Sequence, residues 1–264
     1  MTAESERDYT PAYTLDNRWR AARERLETLE VACDPLTGSH LDKVGVGPGW
    51  YCLEVGAGAG SVARMLCERV GADGRVVAVD LEPALLADLS APNLEVRRLD
   101  VVADELPEAA FDLIHTRLVL VHIPQRNELI PKLVRSLRPG GVLLLEECDL
   151  HEAFAVDDDV FRPSLEAMYR PLFEAGIDIF WSPTMAARLE AAGLVDIVNL
   201  RELQTFTGGS PMAEFWRLTY RQFMESQPYT DAERALMEEG AAAIARPGGP
   251  WIAWELITAW GRRP

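Results

Sequence analysis

Apolar positions recur in two rhythms along the first 150 residues of this 264-residue chain. Short apolar runs, typical of strands buried on both faces, alternate with segments whose apolar residues are spaced as on one face of a helix. The runs predict strands at 50–55, 75–79, 94–99, 111–116 and 142–146. The segments between them predict helices at 61–70, 83–89 and 127–137. This alternation indicates a parallel sheet covered on both faces.

A further helix is predicted ahead of the first strand, over residues 15–33. Asp16 is placed to cap its N-terminus, because a short polar side chain there accepts a bond from a free backbone N–H. The pair Asp34-Pro35 predicts its end, because the residue before a proline avoids the helical conformation. Pro131 fits the 127–137 helix only if that helix begins near Asn127, where an N–H has no partner anyway.

The rhythm changes after Glu147. Residues 151–181 are acidic and aromatic without a clear period, and the remainder predicts, in chain order, a helix at 184–192, a strand at 195–200, helices at 211–226 and 231–245, and a strand at 251–260. We therefore expect a Rossmann-like, doubly wound α/β fold with a mostly parallel, seven-stranded sheet. The stretches 151–181 and 211–245 are expected to form helical lids over the carboxyl edge of that sheet, where open α/β sheets bind ligands.

Charge and composition exclude several classes of protein. The chain carries 26 Lys and Arg residues against 42 Asp and Glu residues, a net charge of −16. Such a surface repels phosphate groups, so we expect neither a nucleic-acid nor a membrane partner. No apolar run approaches the ~20 residues of a membrane span, and the polar, acidic segment Met1–Thr10 predicts no secretory signal. The four cysteines lie far apart in the sequence, as expected of reduced thiols in the cytoplasm.

The strongest motif closes the first strand and opens the 61–70 helix, and it reads Leu53-Glu54-Val55-Gly56-Ala57-Gly58-Ala59-Gly60-Ser61. Its glycines allow a sharp turn and a close approach of a ligand to the main chain. Counted from Gly58, the motif matches the G-x-G-x-x-A fingerprint of dinucleotide binding, with Asp80 placed downstream to hold a ribose. An NAD-dependent oxidoreductase is therefore one interpretation.

Counted from Gly56, the same motif reads E-x-G-x-G-x-G, and Glu54 becomes the deciding residue. A carboxylate one residue inside the end of the strand needs partners. It disfavours a pyrophosphate and favours a ligand that bears an ammonium and a sulfonium group. The sequence also lacks a recognisable Tyr-x-x-x-Lys pair for hydride transfer, which counts against the oxidoreductase.

With these residues the chain resembles the class I S-adenosylmethionine-dependent methyltransferases, in particular the bacterial small-molecule type of secondary metabolism. The motifs that carry the resemblance span residues 45–147 in the family's order: Glu54–Gly60, Val77–Asp80, Leu99–Val101, Leu106-Pro107 with Phe111–Ile114, and Arg138–Gly141. The segment 13–35 is also similar to the family's N-terminal helix. The resemblance implies a helical segment at 1–40 that covers the cofactor, a Rossmann-like cofactor-binding core at 41–150, and the rest of the sheet with its lids at 151–264.

The resemblance also implies roles for individual residues. The main chain of the loop passes under the methionine part of S-adenosylmethionine, and Glu54 holds the loop and the positive end of that methionine. Asp80 accepts bonds from the ribose, while Asp100 accepts a bond from the adenine. The full set of implied cofactor residues is Glu54, Gly56, Ala57, Gly58, Gly60, Asp80, Leu81, Asp100, Val101, Thr116 and Arg117. Simpler interpretations stay open, since Asp80 could cap a helix, Asp100 could serve a turn and Arg117 could make a surface ion pair.

Because a sulfonium methyl group is already activated, the chain has mainly to place a nucleophile and exclude water. His122 and His151 follow the fourth and fifth strands and are the candidate general bases. His115 lies within a strand and is predicted to be a hydrogen-bonded core residue. Glu146 and Glu147 point to opposite faces of a strand, so no metal site is predicted.

The lids are rich in aromatic residues, which suit a large planar or hydrophobic acceptor but are equally consistent with plain packing. We therefore expect in-line methyl transfer to a small, aromatic or hydrophobic acceptor at O, N or C, with S-adenosylhomocysteine as the second product. The alternatives are the NAD-dependent oxidoreductase and a non-methylating descendant of the same fold. A homodimer is left open.

Overall fold

Seven strands form a single sheet in the computed structural model, which describes residues 15–264. They are β1 (Tyr51–Val55), β2 (Arg75–Asp80), β3 (Leu94–Arg98), β4 (Phe111–Arg117), β5 (Leu137–Asp149), β6 (Val195–Phe206) and β7 (Trp251–Arg262). Their order is β3-β2-β1-β4-β5-β7-β6, and β7 alone runs antiparallel to its neighbours β5 and β6. The predicted doubly wound, mostly parallel sheet is confirmed. The strand order reverses between β1 and β4, so the ligand crevice is expected at their carboxyl ends.

The helices are α1 (Ala22–Val44), α2 (Ser61–Val70), α3 (Arg126–Ser136), α4 (His151–Ala155), α5 (Phe161–Glu174), α6 (Met185–Ala191), α7 (Pro211–Ser226) and α8 (Asp231–Ala245). Short 3-10 helices lie at Pro83–Leu86, Leu120–His122 and Ser182–Thr184. The predicted helices at 61–70, 127–137, 184–192, 211–226 and 231–245 are thus confirmed to within two residues. The helix predicted at 83–89 is only the first of the 3-10 turns.

The N-terminal helix differs most from its prediction. It begins at Ala22 rather than near residue 15, and it continues through Pro35 to Val44, so it also crosses the boundary expected at residue 40. Asp16 caps only a turn ahead of the helix, where it accepts the backbone N–H of Arg18 at 2.8 Å. The predicted start and the predicted end at Asp34-Pro35 are therefore wrong.

Pro35 does not end α1 because the free-energy cost of a proline at this position is small and local. A proline removes the one helical bond that would reach back four residues, here to Val31, whose side chain is 63% exposed on the solvent side. The opposite face of the helix carries Leu29, Cys33 and Leu41, which are all buried. In proteins, burial of such a face contributes more to helix stability than local propensity does.

Three apolar clusters hold the layers together. Alternate residues of the strands point to opposite faces, so that Leu53 packs toward α3 and α6 while Cys52 packs toward α2 and the end of α1. The third cluster lies above the carboxyl edge and joins the first half of α1 to α5, α7 and α8. We call these four helical parts the cap, of which α5, α7 and α8 lie within the stretches predicted to form lids. Among residues 15–264, no helix is both long and apolar enough for a membrane span, and the predicted lack of a signal at Met1–Thr10 lies outside the described residues.

Candidate active site

The glycine loop turns sharply between β1 and α2 because its glycines take conformations that other residues avoid. Gly56 and Gly60 have φ angles of 70° and 95°. A Cβ atom on Gly56 would clash with the side chain of Val119, and one on Gly60 would lie 2.7 Å from Leu89. Leu26 of α1 lies over the middle of the loop, 3.7 Å from the Cβ position of Gly58. The first half of α1 therefore covers the loop.

Asp80 joins the end of β2 to this loop. One of its carboxylate oxygens accepts the backbone N–H of Gly58 at 3.0 Å, and the other accepts that of Glu82 at 2.9 Å. Burial raises the pKa of Asp80, against the lowering effect of these two bonds. A carboxylate offers about four acceptor positions, so Asp80 retains capacity for the two hydroxyl groups of a ribose.

The other residues implied for the nucleoside lie at the neighbouring strand ends. Asp100 follows β3 and accepts the backbone N–H groups of Val102 and Ala103 at 2.9 and 3.2 Å. It thus serves a turn, as one of the simpler interpretations has it, and it stays half-buried. Val101 is buried beside it, and Leu81 is half-buried after β2.

A row of buried ionisable side chains crosses the carboxyl edge beneath α1, and we call Glu54, His115, Glu146 and His40 the charge row. Nδ1 of His115 lies 2.6 Å from Glu54, and its Nε2 lies 3.1 Å from Glu146. Nδ1 of His40, on α1, lies 2.5 Å from the other oxygen of Glu146, and Thr37 donates to Glu146 at 2.6 Å. The prediction that His115 is a hydrogen-bonded core residue is confirmed.

Acidic and basic side chains alternate along this row. The adjacent carboxylates raise the pKa of His115 to about 9 although its burial acts in the opposite direction, so the imidazole is protonated at neutral pH. Burial opposes ionisation of Glu146, but its bonds from the two histidines hold its pKa well below the usual range. Burial raises the pKa of Glu54, with His115 acting against it. Glu54 is 2% exposed and already has a positive partner, so its charge is not free to select a cationic ligand, as the sequence argument assumed.

Arg117, at the end of β4, is buried rather than at the surface. Its guanidinium donates to Asp34 at 2.9 Å and to Thr37 at 3.0 Å, both on α1, and to the hydroxyl group of Ser61 at 3.2 Å. Glu30, also on α1, accepts the backbone N–H of Ser61 at 3.1 Å. One polar face of α1 is therefore bound to the start of α2 and to the end of β4.

The turn after β4, residues 118–122, is held by Glu147, whose side chain lies on the face of the sheet opposite to that of Glu146. Leu118 has a φ of +55°, which is unusual for a residue with a side chain. Glu147 accepts the backbone N–H groups of Val119, Leu120 and Val121 at 3.1, 2.8 and 3.4 Å. Burial raises the pKa of Glu147 to about 7, against those bonds. We call this segment the post-β4 turn.

The two candidate bases have opposite surroundings. The imidazole of His122, at the end of the post-β4 turn, is enclosed, and burial together with the charges of Arg25 and Arg126 lowers its pKa to about 4. His151 begins α4, and its side chain is 60% exposed. Its Nδ1 lies 2.9 Å from both oxygens of Asp149, which is completely buried.

One aromatic ring contacts the exposed histidine, and three more aromatic rings pack around that one. The ring of His151 lies 4.6 Å from that of Phe180, which in turn contacts Phe154 edge-on at 5.4 Å and stacks on Phe173 at 5.9 Å. Tyr169 stacks on Phe173 at 6.0 Å. We call Phe154, Tyr169, Phe173 and Phe180 the ring cluster. Phe173 is 39% exposed, so the cluster is partly open.

Comparisons with known proteins agree with this architecture. Residues 53–145 match the family model of a methyltransferase domain. Methyltransferase str2 of Strobilurus tenacellus is 30% identical over 207 residues, which are 77% of this chain and 74% of that protein. The chain belongs to the class I S-adenosylmethionine-dependent methyltransferases.

Two further relatives extend the comparison. The trans-aconitate 2-methyltransferase of Methylobacterium nodulans is 29% identical over 64% of this methyltransferase and 60% of its own length. The structure of phosphoethanolamine N-methyltransferase 2 of Haemonchus contortus, in complex with S-adenosyl-L-methionine, has a TM-score of 0.60 at 15% identity and covers 97% of this chain and 61% of that one. The last likeness shows the shared fold. This methyltransferase is an enzyme that uses S-adenosylmethionine as its methyl donor.

The site fits that donor. The loop has no room for side chains at Gly56 and Gly60, and Asp80 is a half-buried carboxylate that can accept further hydrogen bonds. Thr116, at the end of β4, is completely buried, and its hydroxyl group has no hydrogen-bond partner within residues 15–264. Buried polar groups are normally satisfied, so Thr116 is a further group that a ligand could serve.

Several residues of the site were not predicted from the sequence. Asp149, Glu147 and the polar face of α1 were given no role at the site, although one signal was present: Asp149 stands two residues before His151 at a strand end. Glu146 and Glu147 point to opposite faces, as predicted. Within the described part of the chain, no three His, Cys, Asp or Glu side chains are grouped to hold a metal.

Proposed function

We propose that this methyltransferase transfers the methyl group of S-adenosylmethionine to a small, aromatic or hydrophobic acceptor. The observation that carries the proposal is the ring cluster, which lies beyond the end of β5 and is partly open to solvent. Apolar pockets with a few polar anchors are typical of small-molecule sites. The net charge of −16 argues against nucleic-acid acceptors.

The cofactor residues are proposed on the same basis as the family motifs. The main chain of Gly56, Ala57, Gly58 and Gly60 would support the methionine part, together with Glu54, Thr116 and Arg117. Asp80 would hold the ribose, and Leu81, Asp100 and Val101 would surround the adenine. The pairing of Glu54 with His115 makes its role indirect, since it orients the strand end through a buried ion pair rather than by an unbalanced charge.

The chemistry asked of the protein is modest. S-adenosylmethionine supplies an activated methyl group when it is bound. The residues of the chain then have to orient the acceptor in line, exclude water and, where the acceptor atom carries a proton, accept that proton. The covering helix α1 and the apolar cap serve the exclusion of water.

The relatives support a small-molecule acceptor without specifying it. One is named for trans-aconitate and another for phosphoethanolamine. Both compounds are small and strongly polar, whereas the ring cluster favours an aromatic acceptor.

The cofactor assignment is tested by titration calorimetry with S-adenosylmethionine, S-adenosylhomocysteine and NAD in parallel. We expect the two sulfur nucleosides to bind and NAD not to bind. Asp80→Ala should weaken binding of S-adenosylhomocysteine at least tenfold, because a hydrogen bond to a charged group contributes about 1.5–3 kcal/mol. Asp73→Ala, at an exposed aspartate, is the matched control. Binding of NAD in place of the nucleosides would refute the assignment.

The acceptor assignment is tested by release of S-adenosylhomocysteine with panels of phenols, aromatic amines and polycarboxylates. Release with the aromatic panels supports the proposal. Release with polycarboxylates alone contradicts the aromatic acceptor but keeps the methyltransferase. Binding of the cofactor without release on any panel favours the non-methylating alternative.

A further inference from the structure

Asp149 and His151 form an isolated pair at the end of β5. Asp149 is completely buried, and within residues 15–264 its carboxylate makes its hydrogen bonds only with His151, through Nδ1 and through the backbone N–H at 3.0 Å. Because a carboxylate only accepts bonds, Nδ1 must carry the proton. The lone pair of the neutral imidazole is therefore on Nε2, which belongs to a side chain that is 60% exposed.

This arrangement is that of an oriented general base. A buried carboxylate on one nitrogen fixes the tautomer of the imidazole and stabilises the imidazolium that forms when the other nitrogen takes a proton. At His122, by contrast, burial and the positive charges of Arg25 and Arg126 oppose protonation of the ring and lower its pKa to about 4. Of the two candidate bases, His151 is the one that can both receive a proton and release it to water.

One short segment, residues 178–180, connects the Asp149–His151 pair to the post-β4 turn. The backbone N–H of Asp178 donates to the carbonyl of Val121 at 3.1 Å, and that of Leu150 donates to the carbonyl of Ile179 at 3.2 Å. Phe180, the next residue, contacts the ring of His151. The same short segment thus links the end of β4, the end of β5 and the ring cluster.

From this geometry we propose that His151, oriented by Asp149, is the general base for a phenolic acceptor held against the ring cluster. The inference rests on the proposed function. The acceptor's O–H bond breaks, its proton moves to Nε2 of His151, and the oxygen forms its bond to carbon while the bond between that carbon and sulfur breaks. The imidazolium then releases the proton to solvent.

A phenol fits this base better than the other acceptor classes do. A phenolic hydroxyl group, with an ordinary pKa of about 10, carries its proton at neutral pH, so its methylation requires a base that accepts this proton. A carboxylic acid is already ionised at neutral pH and needs no base. An aromatic acceptor could also make edge-on and stacked contacts with the ring cluster. Each such contact contributes about 0.5–1.5 kcal/mol beyond the burial of apolar surface.

A purely structural role for Asp149 is the competing explanation, since its carboxylate also accepts the backbone N–H of His151, the first residue of α4. Asp149→Asn separates the two roles. The amide oxygen of asparagine can accept the same backbone N–H, but the side chain lacks the charge that stabilises an imidazolium. His151→Gln removes the base, while the side-chain amide of glutamine can still donate a hydrogen bond to Asp149. Asp157→Asn, at an exposed aspartate in the next loop, is the control for loss of a charge.

The probe is 4-nitrophenol, whose ionised form is yellow, added to the complex of the protein with S-adenosylhomocysteine. On the wild-type protein and on Asp157→Asn, we expect the bound dye to be ionised. In His151→Gln, its ratio of ionised to neutral form should fall about tenfold or more, the effect of one lost hydrogen bond to a charged group. Asp149→Asn should lower the ratio while circular dichroism shows an unchanged fold.

Two results would overturn the inference: a dye that binds with the same ionised fraction in wild type and His151→Gln, or a dye that does not bind. Failure of the proposed function is distinguishable, because it shows in the nucleoside titration. If S-adenosylhomocysteine does not bind but the dye is ionised through His151, the result supports the Asp149–His151 pair as a base and refutes the proposed function. If the nucleoside binds and the dye does not, the result refutes only the role of the pair.

Discussion

The cofactor side of the site and the cap above it are equally buried but are held by different forces. On the cofactor side, Glu146 and His115 are completely buried and are linked by oriented bonds between opposite charges. In the cap, Trp216, Tyr220 and Met168 are equally buried and are held mainly by apolar contact. Charges in a low-dielectric interior require specific partners, whereas an apolar core requires mainly volume. The two regions should therefore respond differently to equally small substitutions.

The largest effect is expected on the cofactor side. Glu146→Ala removes the carboxylate that His115, His40 and Thr37 share, and it leaves the protonated imidazole of His115 facing a cavity. We expect a loss of about 3–5 kcal/mol in the free energy of unfolding, as is typical when one partner of a buried ion pair is removed. Chemical denaturation measures it, with Glu152→Ala at an exposed position as the control. A loss below about 1 kcal/mol would show that the charge row contributes little.

A pH dependence of stability comes next. The pKa of His115 is raised to about 9 in the folded protein from its usual 6.5, so the folded state binds this proton more tightly than the unfolded state. The resulting stabilisation is complete below about pH 6.5 and is lost as the pH rises through 9, on the order of 3 kcal/mol in total. His115→Gln should abolish this part of the pH dependence. Denaturation midpoints at pH 6, 8 and 9.5 test it, and an unchanged profile in the variant would contradict the assignment.

The smallest effect is expected in the cap. Met168→Leu keeps volume and apolar character at a completely buried position, so it should cost less than about 1.5 kcal/mol. The comparison is with the loss measured for Glu146→Ala by the same denaturation. If the cap substitution costs as much as the loss of the carboxylate, the two regions do not differ in the way described.

The fold was predictable from local signals because buried strands and amphipathic helices are encoded by adjacent residues. The α2 helix and the glycine loop are examples. The end of α1 was not predictable in this way, since the cost of Pro35 is local while the compensation comes from packing against distant parts of the chain. The same holds for β6, which pairs with β7 as far as Phe206, beyond the predicted end at residue 200.

The residues of the candidate site also differ in whether local sequence or long-range packing determines their place. The family motif identifies Asp80 and the loop, and the structure places them together at the carboxyl edge. The partner of Glu54 is His115, 61 residues away in the sequence, and only the pairing of β1 with β4 brings the two side chains onto one face. Asp149 and His151 are near neighbours in sequence, but the burial of one and the exposure of the other appear only in three dimensions.

The segment Leu143-Leu144-Leu145-Glu146-Glu147 of β5 sends equivalent side chains to both faces of the sheet. A shift of one residue would still place leucine at positions 143 and 144 and glutamate at position 146, but it would also bring a carboxylate to the buried position of Leu145. The side-chain pattern therefore specifies the alignment only in part, and backbone contacts at the start of the strand also restrict it. At Gly141, an added Cβ would lie 2.7 Å from the carbonyl oxygen of Phe111. Only a glycine therefore allows this close approach of β5 to β4, in the alignment that brings Glu146 and Glu147 to their separate partners.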